Sequence, residues 1–117
     1  MAKIERELVG DFDMILNAVH NAVMGGSLSA TLEDSSDFYE SGSRCSVRVY
    51  ERYSWFGGNR LSMSVTLFEG NGVVHISAVT SGGSQALILK INTVGERAFL
   101  ETVRNTIDAF SYGNYYR

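Results

Sequence analysis

Arg44, Arg48 and Arg52 recur at every fourth position of one predicted strand, and Arg60 falls on the same phase of the next. Period-two alternation puts the four guanidiniums on one sheet face, with those on the first strand spaced about 13 Å apart. That spacing makes a line of cations rather than a pocket for one anion. Tyr50 shares the face, as do Phe68 and His75 across the following hairpin. Arginines among aromatic rings on an open sheet are how several single-strand binders hold phosphates and stack bases. The competing assignment pairs the arginines with Glu5, Glu7 or Glu33 on neighbouring strands. A net charge of −3 gives the whole molecule no long-range attraction for phosphate, so nucleic acid is disfavoured as a partner.

Glu51 is the one candidate for acid–base chemistry. If Cys45, Val47 and Val49 face the core, strict alternation brings Glu51 inward beside Tyr53, and an apolar site would raise its pKa. A strand end or bulge that turns it to solvent is the alternative. Trp55-Phe56, between Tyr53 and Gly57-Gly58, puts two large rings at a glycine-rich hairpin tip. There they either anchor a partner or fold back over the core. Ser81-Gly82-Gly83-Ser84-Gln85 lacks the lysine of a phosphate loop and has no later histidine for a serine nucleophile, so it reads as a turn. His20, His75 and the single Cys45 have no metal-ligand spacing. No metal or cofactor is implied.

Which elements must position these residues follows from periodicity. A strand is expected over 3–9, with Ile4 and Leu8 inward. Asp11 then caps a helix whose stripe is Phe12, Ile15, Leu16, Val19 and Val23, ended by Gly25-Gly26 in the left-handed conformation. Residues 27–33 alternate as a strand with Leu28, Ala30 and Leu32 inward, and 34–43 read as a polar loop. Strands over 44–53 and 60–69 follow, separated by a turn at Ser54–Gly58. Leu61, Met63, Val65 and Leu67 point inward on the second of them.

Asn71-Gly72 is the favoured pair for a two-residue type I′ hairpin. The tight turn sets Leu67 opposite Ile76 and Val65 opposite Ala78, whereas a three-residue loop would set apolar against polar. After the strand 73–80 and a turn, 86–91 reads as a sixth strand. Thr93 and Glu96 form a capping box for a final helix with the stripe Phe99, Leu100, Val103, Ile107 and Phe110. The aromatic tail 112–117 has no assigned order.

The expected fold is therefore α+β: a single antiparallel sheet of about six strands with two helices packed on one face, in the order β-α-β-β-β-β-β-α. TATA-box-binding-protein-like and helix-grip folds have this kind of order. At 117 residues, 44% hydrophobic and 20% charged, the chain fits one domain over 1–117 with a core of its own. One cysteine permits no internal disulfide, and no apolar run reaches signal-peptide or membrane-helix length, which predicts a cytoplasmic protein with no membrane partner.

The stretches Arg44–Tyr53 (RCSVRVYERY), Phe56–Arg60 (FGGNR) and Thr80–Gln85 (TSGGSQ) resemble segments of a family of small bacterial proteins of unknown function. The resemblance spans nearly the full chain, implies a bacterial source and one domain, and carries no activity. The functional expectation is a non-catalytic binding or interaction domain, homodimeric as most small soluble assemblies are. It would act through Arg44, Arg48, Arg52, Arg60 and Tyr50 or through Trp55 and Phe56, with an unknown protein or small molecule as partner. The alternatives are a small-ligand carrier or enzyme with Glu51 and Tyr53 in a cavity between sheet and helices, and a single-stranded nucleic-acid binder.

Overall fold

Asp11 starts the first helix as its chemistry requires: its Oδ2 accepts the Met14 backbone N–H at 3.0 Å, satisfying one of the donors a helix leaves open. In the computed structural model of the chain, residues 1–53, 60–82 and 89–111 are described, residues 89–93 by their backbone alone. Helix α1 runs Phe12–Gly25 and buries Phe12, Ile15, Leu16, Val19 and Val23 on one stripe. Its end departs from expectation, because Gly26 caps it at φ −82° and not in the left-handed region. Glycine is needed there for room. A Cβ on Gly26 would lie 2.7 Å from Thr102 Cγ2, on the helix packed against α1.

Five strands form one wholly antiparallel sheet: β1 Ala2–Leu8, β2 Thr31–Glu40, β3 Ser43–Tyr53, β4 Arg60–Gly70 and β5 Val73–Gly82, in spatial order β1-β5-β4-β3-β2. Helix α2, Leu89–Phe110, lies with α1 on one face. The α+β class, the antiparallel sheet and the two helices are as expected. The described strands number five rather than six, and the order is β-α-β-β-β-β-α.

The β4–β5 hairpin follows its turn chemistry. Asn71 (φ 54°) and Gly72 (φ 77°) make the two-residue turn, and Leu67 pairs with Ile76 and Val65 with Ala78. Leu61, Met63, Val65, Leu67, Val74, Ile76 and Ala78 are all buried beneath the helices.

Residues 27–43 overturn the sequence reading. Ser27–Ser29 is a turn in which the Ser29 N–H reaches Ser27 Oγ, and Leu28 is fully exposed. The polar stretch expected to be a loop is instead β2, joined to β3 by a second two-residue turn, Ser41 (φ 49°) and Gly42 (φ 83°). All ten β2 residues are exposed, and a bulge at Glu33 shifts the register. β2 exists because its backbone pairs with β3, not because it buries a face. Its carboxylates are what keep such an edge strand soluble.

At the other end, residues 89–91 of the sixth strand expected over 86–91 are helical. α2 has begun by Leu89, and residues 86–88 lie outside the described set. Thr93 is inside the helix, so it forms no capping box with Glu96. Glu96 is buried instead, its carboxylate 2.8 Å from the Met1 ammonium, while its carbonyl accepts the buried Thr80 hydroxyl. Phe99, Leu100, Val103 and Ile107 complete the core as the stripe predicted. The Val9 N–H donates to the Phe110 carbonyl, and Leu8 bridges to Ser111, so the end of α2 ties down the β1 edge. Among the described residues no helix is long and apolar enough to cross a membrane.

Candidate functional site

The sequence places Arg44, Arg48, Arg52 and Arg60 on one open face, and the structure divides them. The cause is a register difference of one residue. Tyr53 pairs with Arg60, so six residues and not five separate β3 from β4. With Leu61, Met63, Val65 and Leu67 fixed inward, that parity turns Arg44, Ser46, Arg48, Tyr50 and Arg52 toward the helices. Cys45, Val47, Val49 and Glu51 turn away from them, because a slip of one residue exchanges the two faces of a strand.

On the helix side each arginine has a local engagement. Arg44 grips the Asp13 carboxylate at 2.8 and 3.1 Å, with its guanidinium 4.2 Å above the Phe12 ring. The hydrogen bond from Arg44 holds the Asp13 carboxyl below its ordinary range. Arg48 donates to Ser46 Oγ at 3.2 Å and approaches Asp37 at 3.6 Å. Tyr50 is buried, its hydroxyl 2.9 Å from His20 Nδ1 on α1, and burial raises its pKa. Sequence reasoning missed this contact. The signal was a histidine on the α1 flank at the level of a strand tyrosine, legible only once the phase of β3 is known.

Arg52 differs from the others. Its guanidinium lies 4.7 Å from the centre of the Phe99 ring, its Nε is buried without an acceptor, and no carboxylate meets it among the described residues. Desolvation lowers its pKa.

Glu51 lies on the open face and is no buried acid. It pairs with Arg60, which also approaches Glu33 at 3.6 Å and sits 5.7 Å from the Tyr53 ring centre. Glu51 therefore does not enter the space between sheet and helices, where the described residues form the apolar core. Trp55 and Phe56 lie outside the described residues, as do 83–88 and the tail 112–117.

The open face reads as rows across the strands. One row runs Phe38, Cys45, Phe68, His75 and Glu7 from β2 to β1. The next runs Ser36, Val47, Thr66, Ser77 and Glu5, followed by Asp34, Val49, Ser64, Val79 and Lys3. Phe38 and Phe68 are 63% and 42% exposed, and the Phe68 and His75 rings stand 6.2 Å apart. A shallow recess of about 390 Å³ opens between Phe68, His75 and the β1 carboxylates. Cys45 and His75 are two strands apart, roughly 10 Å at ordinary strand spacing, beyond reach of a thiol–imidazole pair. No group of three metal-ligating side chains occurs among the described residues.

A family model matches residues 1–111, which is all but the aromatic tail. The chain belongs to the family of unknown function DUF6054. Membership in DUF6054 agrees with the resemblance carried by the β3 segment and brings no activity with it. No curated protein matches the sequence.

Proposed function

We propose that this DUF6054 protein is a non-catalytic, cytoplasmic interaction domain that forms a homodimer through the open sheet face. The supporting observation is the bare face itself. Among the described residues, five strands carry two helices on one side and no element on the other, where Phe38, Val47, Val49, Phe68 and Val79 remain wholly or partly exposed among serines and threonines. At about 4.8 Å between strands and about 28 Å of strand length, the face measures roughly 650 Å². That approaches the ~800 Å² per partner of a standard stable interface.

Charge favours a second copy on the face and disfavours one on the edge. On the face, Glu51 is paired with Arg60 and Lys3 with Glu5, which leaves Glu7 and Asp34 at its two opposite margins. The free edge β2 instead carries Glu33, Asp34, Asp37 and Glu40 and no base, so two copies meeting there would repel. Aligned stacking of two such faces, about 10 Å apart, is the familiar packing of sheets. The order β-α-β-β-β-β-α supports the TATA-box-binding-protein-like scaffold better than the helix-grip one. Arginines bound to Asp13, Asp37 and Glu51, on two different faces, give no support to nucleic-acid binding.

Light scattering on the eluting protein at about 100 µM tests the proposal, with affinity in the range of ordinary interfaces. Twice the 12.9 kDa chain mass is expected. Ser64→Arg, central and exposed on β4, gives the monomer with an unchanged circular dichroism spectrum, whereas Ser35→Arg on the edge strand leaves the dimer intact. A monomeric wild type, or a dimer that persists in Ser64→Arg, overturns the reading.

A further inference from the structure

A groove of about 580 Å³ lies at the C-terminal end of α1, bounded by Gly26, Ser27, Leu28, Ser29, Arg52, Tyr53 and Ala98. It is on the helix side of the sheet, away from the face proposed for dimerisation. We infer that it binds a small monocarboxylate with an apolar body, the carboxylate on Arg52 and the body along Leu28 and Ala98.

Arg52 is an unbalanced charge. All thirteen Asp and Glu residues belong to the described part of the chain, and none of them pairs with it. The undescribed segments 54–59, 83–88 and 112–117 contain no Asp or Glu, and neither do 89–93. A part-buried guanidinium in a protein of net charge −3 thus lacks a carboxylate partner among the described residues, although Arg44, Arg48 and Arg60 each have one. Burying a cation without a counter-ion is unfavourable, and an external carboxylate removes that penalty through the planar fork of the guanidinium.

The serines add a donor. Ser27 Oγ and Ser29 Oγ are 3.2 Å apart, Ser27 Oγ accepts the Ser29 N–H, and Ser29 Oγ accepts the Tyr53 N–H. Two hydroxyl protons therefore serve one hydroxyl–hydroxyl bond. One proton is left over on the groove wall, whichever serine is the donor. The end of α1 selects the class of anion. A helix C-terminus presents partial negative charge, which opposes a phosphate dianion about twice as strongly as a singly charged head. Leu28, fully exposed on the groove wall, supplies apolar surface for a body, and the volume lies within the usual range of small-ligand sites.

The test is a titration of the isotope-labelled protein, followed through its amide resonances, with octanoate, octanol and inorganic phosphate as probes. Octanoate is expected to saturate, with shifts centred on Ser27, Leu28, Ser29, Tyr53 and Ala98, and to bind at least tenfold more tightly than octanol or phosphate. Arg52→Met keeps the stem on Phe99 and removes the charge. It is expected to weaken octanoate at least tenfold while melting no lower than the wild type. Failure of octanoate to saturate by 10 mM overturns the inference, as does preference for phosphate. Equal octanoate binding by Arg52→Met does the same, and a fall in its melting temperature would make Arg52 a structural residue.

Discussion

Replacing Gly26 by alanine tests whether the α1–α2 contact, rather than backbone freedom, fixes the end of α1. At φ −82° and ψ −10° the backbone accepts alanine without strain. Conformational entropy alone would then make Gly26→Ala stabilising by about 0.4–1 kcal/mol. Against this, the new methyl would lie 2.7 Å from Thr102 Cγ2, 2.9 Å from Thr102 Cβ and 3.0 Å from the Ala22 carbonyl oxygen. Thr102 cannot swing aside cheaply, because it is β-branched and its hydroxyl donates to the Phe99 carbonyl at 2.7 Å. Overpacking of this kind costs about 1–3 kcal/mol, so the net loss should be roughly 1–2 kcal/mol.

Gly25, one residue earlier, is the internal control, since a Cβ there meets nothing within 4 Å. Gly25→Ala should be neutral or stabilising by up to about 1 kcal/mol. Urea denaturation followed by circular dichroism reads both signs, with the Gly26→Ala midpoint lower by about 1 M at an ordinary slope. Thr102→Ser, which removes Cγ2 and keeps the hydroxyl, should recover part of the loss in the double variant. If Gly26→Ala is as stable as Gly25→Ala, or Thr102→Ser recovers nothing, the close approach of the helices is not what glycine provides there.

Other consequences are equally open to measurement. Leu28→Ser should change stability by less than about 0.5 kcal/mol, because Leu28 is fully exposed; a loss above 2 kcal/mol would revive the strand expected over 27–33. Leu67→Ala, at the centre of the core beneath the helices, should cost about 2–5 kcal/mol in the same urea assay. Asp13, whose pKa is lowered by Arg44, favours the fold above its ordinary value of 3.8, and the benefit is lost as pH falls through the lowered folded value. The difference in melting temperature between wild type and Asp13→Asn should accordingly be present at pH 7 and shrink by pH 3, and a difference that grows on acidification would contradict the Arg44 contact. Gly72→Ala should destabilise by about 1–2 kcal/mol, since alanine must then hold φ near 77°.

The sequence showed most where one element carries its own evidence. Helix α1 has a cap and a single apolar stripe, and Asn71-Gly72 with its flanking pattern leaves only one register for β4 and β5. The central strand β3 carries no such internal evidence. Its valines suggest one buried face, but its opposite face holds Ser46 and Tyr50, both 1% exposed, and arginines whose guanidiniums lie over Phe12 and Phe99 at the margins of the helices. Long cationic side chains cover aromatic edges there as apolar ones would. The choice between the two faces depended on counting the residues between Tyr53 and Arg60, a parity that composition does not reveal. β2 was illegible for a different reason, because a strand held by backbone pairing alone has no side-chain periodicity to read. The candidate surfaces inherited both errors: Glu51 and the arginine line were read on the wrong faces, while Arg52 was singled out for its charge and not for its isolation.

The bareness of β2 also decides how this molecule can come apart. None of its ten side chains is buried, so peeling it from β3 breaks backbone hydrogen bonds but wets little apolar surface. Such an opening has a small heat-capacity change and a weak response to urea, unlike global unfolding. The amides of β2 that point toward β3 should therefore exchange with solvent by a route almost independent of denaturant, while those of β4 wait for the whole domain to unfold. The protein thus carries a hinged outer strip that can detach and return without the core taking part.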